Sequence, residues 1–186
     1  MILYRCFAWN ENARPTDPDG PLWFPRIFQG EGRHDNADAY GCLYLADRAL
    51  SCIIEQLARF RGQRLSPAML RRRGLPLAVA EMELAGDAEL VDLDEPVVLR
   101  RERLRPSLVA TRNRSVTQPQ ARALHQAHPA AVGLRWWSTY ESLWMHVTLF
   151  DRASPELRLR SVRALAVGDA AVIEAADWFA LPVRLR

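Results

Sequence analysis

The sequence contains no lysine; all 25 of its basic residues are arginine. Schiff-base chemistry on a lysine amine is therefore excluded, while planar, permanently charged guanidinium groups are plentiful. Cysteine is scarce too. Cys6, Cys42 and Cys52 are an odd number without metal-ligand spacing, and two of them sit in apolar runs, which points to core thiols in a reducing cytosol. No window reaches membrane-spanning length, and Met1-Ile2-Leu3-Tyr4-Arg5-Cys6 has no basic region ahead of a long apolar stretch. A soluble, cytoplasmic protein is expected. Repeats, linkers and low-complexity segments are also missing, so the 186 residues, 49% hydrophobic, are expected to form a single domain over 1–186. His125 and His128 stand three apart, one short of the helical metal spacing, and no third ligand is near, so no metal is assigned.

What is present is organised around Gly30 to Phe60, which reads as a loop, a strand and a helix. Gly30-Glu31-Gly32-Arg33-His34-Asp35-Asn36 has two glycines, which let the backbone approach a ligand, beside an arginine suited to anions. Cys42 to Ala46 has strand length, and Asp47 can cap the helix that follows. Ala49, Leu50, Ile53, Ile54, Leu57 and Phe60 recur at helical spacing, which leaves Glu55 on the flank of the buried stripe. An acid there is either half-solvated or points into a cleft. Arg33, Tyr44 and Glu55 thus fall on loop, strand and helix, where a compact turn can gather them.

Ile2 to Ala8 reads as a first strand containing Arg5, either a solvent-facing charge or a phosphate contact from a sheet edge. Asn10 to Pro25, with four prolines, is an irregular loop. Ser66-Pro67 opens a short helix ending at Gly74, with Arg71 to Arg73 at its C-terminus. Leu77 to Leu84 and Glu89 to Leu93 read as antiparallel neighbouring strands, Pro96 to Leu104 as a helix, and Thr117 with Pro119 as the opening of a helix through His128. Val132 to Ser138 is a strand that delivers Ser138, and Leu143 to Phe150 is another. Trp136 and Trp137 either wall a pocket for a flat ring or pack in the core. Arg160 to Leu165, a helix from Ala170 to Phe179 and a strand at Val183 to Leu185 complete the chain.

A net charge of +3 suits nucleic acid or a phosphate-bearing small molecule. Arg71 to Arg73 and Arg100 to Arg105 carry no interleaved aromatics, and Glu102 interrupts the second run. A nucleic-acid or protein binding module therefore ranks below an enzyme, and direct nucleic-acid contact is not expected.

Gly-Arg-X-Asp-Asn, then Gly-X-Leu-Tyr-Leu-Ala-Asp, then a helix bearing glutamate, then Gly-Leu-Arg-Trp-Trp-Ser before Val-Thr-Leu-Phe-Asp, resembles the RES domain family, named for its arginine, glutamate and serine. The resemblance runs from about Leu3 to Asp151, leaving 152–186 as a structural extension. It implies an α+β fold like that of ADP-ribosyltransferases, a mixed split sheet with peripheral helices around a central cleft. It also implies a toxin that destroys NAD+, several relatives by phosphorolysis, beside an Xre-type antitoxin. The implied catalytic set is Arg33, Tyr44, Glu55 and Ser138, with Arg5 as a further arginine of the pocket. His34 stands where the family usually has an aromatic residue.

These residue types suit glycosyl transfer from NAD+ as substrate, with inorganic phosphate as co-substrate and no prosthetic group. The pyridinium leaves as a neutral ring, so the main task is stabilising an oxocarbenium-like ribose, which a carboxylate such as Glu55 can do. Arg33 and Arg5 match a pyrophosphate, Tyr44 offers a stacking face and a hydroxyl, and Ser138 a small donor and acceptor. Water or a protein acceptor would make the same chemistry a glycohydrolase or an ADP-ribosyltransferase. Taken singly, Tyr44 also reads as core, Ser138 as a turn residue, and Arg33 as an ion pair with Glu31 or Asp35.

Overall fold

The computed structural model describes residues 1–182. In chain order the elements are β1 (Ile2–Ala8), β2 (Cys42–Ala46), α1 (Ala49–Leu57), β3 (Arg71–Arg72), β4 (Leu75–Leu84), β5 (Leu90–Asp92) and α2 (Pro96–Arg101). They continue with α3 (Pro106–Val109), α4 (Arg114–Ala127), β6 (Gly133–Trp137), β7 (Met145–Phe150), β8 (Leu157–Ala164) and α5 (Ala170–Trp178). The class is α+β, with mostly antiparallel pairing. The strand expected at Val183 to Leu185 lies outside the described residues. Among the described residues no helix is long and apolar enough to cross a membrane.

The chain gathers into two compact units, one made of Met1–Trp23, Ala46–Glu83 and the described residues from Arg158 onward, the other of Phe24–Leu45 and Leu84–Leu157. In the first, β1 pairs antiparallel with β4 from Ile2 opposite Glu83 to Ala8 opposite Leu77, and β3 and β8 also pair with β4. Helix α1 packs on β1 and α5. Its buried Cys52, Ile53, Ile54 and Leu57 form the apolar stripe their spacing predicts, and each large aliphatic so buried contributes about 1.5–3 kcal/mol. The cap position is Arg48 rather than Asp47, without a side-chain cap bond. Arg71 to Arg73 do not end a helix. Only Pro67–Leu70 is helical, and Arg73 and Gly74, with φ of 52° and 80°, are the central residues of a two-residue hairpin turn between β3 and β4.

In the second unit the strand order is β2-β7-β6-β5. Strand β5 is not an antiparallel partner of β4; it pairs parallel with β6, Leu90 opposite Gly133. The reason is the connection: α2, α3 and α4 lie between β5 and β6, and parallel neighbours need such a crossover. At Gly133 a Cβ would fall 2.4 Å from the Thr148 carbonyl oxygen, so the β6–β7 pairing depends on glycine there. Helix α4 begins three residues before the expected Thr117, because the Asn113 side chain accepts from the Ser115 amide at 3.1 Å. Tyr40, Leu124, Leu134, Trp136 and Phe150 are among the core residues of this unit.

Candidate functional site

The Gly30–Asn36 loop is held from three directions within the second unit. Asp35, 6% exposed, accepts the Gly30 amide at 2.8 Å and the Gly32 amide at 2.7 Å on one carboxylate oxygen, and the Tyr44 hydroxyl at 2.6 Å on the other. A Cβ on Gly32 would lie 2.4 Å from both Asp35 Oδ1 and the Tyr44 hydroxyl, so glycine is required by close approach. The start of α4 takes the loop carbonyls. Thr117 donates to the Arg33 carbonyl at 2.6 Å, Gln118 to those of Gly30 and Gly32 at 2.9 Å, and Arg114 to that of Glu31 at 2.8 Å. The amides and carbonyls of both Gly30 and Gly32 are thereby matched.

Arg33 is buried; one guanidinium nitrogen donates to the carbonyls of Val109 at 2.8 Å and Thr111 at 2.5 Å, and the group lies 4.9 Å over the Trp136 ring. The alternative of an ion pair with Glu31 or Asp35 is not what the structure contains: both carboxylates are without a salt bridge among the described residues. Trp136 is thus a wall against which a cation rests as well as a core residue.

His34 and His146 flank Trp136, with ring centroids 5.3 Å and 4.8 Å away in edge-on geometry. Burial, reinforced by the Arg33 charge, holds His34 well below the ordinary histidine range and His146 down to about 4. Both rings are therefore neutral at physiological pH. His34 Nδ1 is 2.8 Å from the Thr148 hydroxyl, which also accepts the Trp136 indole N–H at 3.0 Å. The register places Trp136 opposite His146 and Leu134 opposite Thr148, so period-two alternation lines up this polar and aromatic face.

Tyr44, half-buried on β2, donates to Asp35 and accepts the His34 amide at 2.9 Å. Burial, with the Cys42 and Asp35 charges, pushes its phenol well above its ordinary value, so it is not an anionic base or nucleophile. Ser138 is buried at the end of β6, and its hydroxyl accepts the Tyr140 amide at 3.1 Å. The structure thus brings Arg33, Tyr44 and Ser138 into the second unit, while Arg5 and Glu55 belong to the first.

Arg5 is buried, not solvent-facing: it donates to the Pro21 carbonyl at 2.6 Å and that of Gly20 at 3.4 Å and lies 4.5 Å from the Phe7 ring centroid. Burial lowers its guanidinium to about 9, against the partial support of Asp19. Glu55 is half-buried on α1 between the buried Ile54 and Leu57, at the flank of the stripe where its spacing puts it. Sequence reasoning missed Asp35, Thr148 and His146 as partners. For Asp35 the signal was available, since an acid three residues after Gly32 can fold back onto its amide. For Thr148 and His146 it lay in the register.

A protein-family comparison matches the RES domain to residues 2–172, and the chain belongs to that family. No curated protein matches the sequence. Among solved structures the chain is similar to one in the crystal structure of the M. tuberculosis MbcT–MbcA toxin–antitoxin complex, at 18% identity and a TM-score of 0.65, over 96% of this chain and 88% of that one. This likeness is one of fold.

Proposed function

We propose that this chain cleaves the nicotinamide–ribose bond of NAD+ with inorganic phosphate as acceptor, in the cytoplasm, as the toxin of a toxin–antitoxin pair whose antitoxin is of the Xre type. The observation that carries the reading is the RES match across residues 2–172, joined to a buried arginine and a half-buried tyrosine on one tightly held loop and strand. The toxin–antitoxin context of the MbcT–MbcA structure supports the pairing. An ADP-ribosyltransferase-like fold is part of the same proposal.

In the reaction the glycosidic C–N bond breaks and its electron pair returns to the pyridine nitrogen, so nicotinamide leaves neutral without an acid. A phosphate oxygen then forms the new bond to the ribose carbon, giving ADP-ribose phosphate. Glu55 offsets the positive charge that develops on the ribose, an interaction strongest in the transition state. Arg33 matches the pyrophosphate with planar, charge-assisted donors, with Arg5 as a further arginine. Tyr44 presents its ring to the nicotinamide, and Ser138 orients the acceptor.

The test is product analysis after incubation with NAD+ labelled in the ADP-ribose half. Labelled ADP-ribose phosphate formed only when phosphate is present supports the phosphorylase. ADP-ribose alone would indicate a glycohydrolase, and label on protein an ADP-ribosyltransferase. No product of any kind from pure protein would overturn the reading.

A further inference from the structure

Asp35 is a buried carboxylate whose hydrogen bonds come from two backbone amides and one phenol, with no cation paired to it among the described residues. Two amides alone would suffice to shape the loop. The third bond does something different, because a phenol donating to a carboxylate at 2.6 Å shifts electron density into its ring and strengthens the negative π face. The nearest stacked neighbour of that ring is His34, 6.4 Å away at 22°, and His34 is neutral, so it does not supply a cation to the face. An electron-rich ring backed by an uncompensated buried carboxylate is complementary to a flat aromatic cation.

Resting on the function proposed above, we infer that Asp35 is a specificity-determining positioning residue: through Tyr44 it makes the site select the positively charged nicotinamide ring of oxidised dinucleotides over uncharged rings. The interaction belongs to the ground state. As the glycosidic bond breaks, charge leaves the ring for the ribose, so the attraction weakens toward the transition state and vanishes in the neutral product. It therefore lowers KM and kcat together, because it deepens the bound-substrate well without reaching the transition state, and it leaves kcat/KM nearly unchanged. NADH, whose dihydronicotinamide is uncharged, gains nothing from it.

Asp35→Asn, which keeps an acceptor for the glycine amides, tests this. Expected are a KM for NAD+ and a kcat each raised roughly three- to tenfold, kcat/KM within about twofold of the parent, and an unchanged inhibition constant for NADH. A kcat that falls tenfold or more, or NADH inhibition that weakens in step with KM, would show a merely structural role and overturn the inference. Binding of 1-methylnicotinamide, a cation that this reaction does not cleave, against neutral nicotinamide gives a readout independent of turnover. The parent is expected to prefer the cation and Asp35→Asn to lose that preference. Equal binding of the two by the parent overturns the inference whether or not NAD+ is cleaved, whereas preference for the cation without cleavage of NAD+ overturns the proposed function and leaves the inference standing.

Discussion

Arg5 and Arg33 lie in different units and are buried in nearly the same way. Each gives one guanidinium nitrogen to two backbone carbonyls and lies over an aromatic ring, Phe7 for Arg5 and Trp136 for Arg33. Their surroundings differ. The carbonyls that Arg5 holds belong to the proline-rich loop, which packs so closely that a Cβ on Gly20 would lie 2.2 Å from the Arg14 carbonyl oxygen. Arg33 instead sits beside two neutral histidines whose protonation its own charge opposes, on a loop whose buried Asp35 reaches Tyr44. A buried arginine by itself signals architecture. The groups around it show whether chemistry is added.

The sharpest way to break this contrast is substitution by lysine, which keeps the charge but loses the planar fork. Arg33→Lys is expected to cut nicotinamide release at least ~100-fold with the fold retained by circular dichroism, since the pyrophosphate loses its directed donors. Arg5→Lys is expected to lower stability by about 2–3 kcal/mol in denaturant titration, because two loop carbonyls lose their donor, and to cut nicotinamide release far less than Arg33→Lys does, since Arg5 is only the further arginine of the pocket. If Arg5→Lys abolishes activity as fully as Arg33→Lys with stability unchanged, the two sites are equivalent and the contrast fails.

The histidines beside Arg33 give the next effect. The folded-state value of His146, about 4, lies below the ordinary histidine value of 6.5, so between these values the unfolded chain binds more protons. Its contribution is therefore fully present above about pH 6.5 and is lost as pH falls through about 4, amounting to about 3 kcal/mol at most, with His34 acting in the same direction. Urea midpoints measured across that window should fall with pH, and the slope should flatten in His146→Asn. An unchanged slope in that variant would remove His146 from the account.

Gly32→Ala sharpens the comparison from the loop side. Its Cβ would collide with both ends of the Asp35–Tyr44 bond, for an expected loss of about 1–3 kcal/mol in denaturant titration together with reduced activity. The smallest expected effect is Arg122→Ala, which removes an exposed pair with Asp38 at 2.6 Å and should shift stability by less than about 0.5 kcal/mol.

Local signals carried much of this fold. Strands β1 and β2 have the bounds their apolar runs predict, and α1 follows its stripe. What periodicity cannot carry is partner choice. Strand β5 alternates equally well beside β4 or β6, and only the intervening helices decide it. Likewise Arg71 to Arg73 suit a helix end by charge, yet two positive φ values make them a hairpin. Within the site, the motif residues Arg33 and Tyr44 could be named from their order along the chain, while the bond that joins Tyr44 to Asp35 could not. It depends on a loop folding back on itself, which spacing permits but does not compel.

The most direct measurement is the initial rate of nicotinamide release from NAD+ by the parent chain, Arg33→Lys and Glu55→Ala, each with and without inorganic phosphate. Release that phosphate accelerates in the parent, and that both variants lose while remaining folded, is the predicted result. Equal release from all three proteins, or none from the parent under either condition, would contradict it.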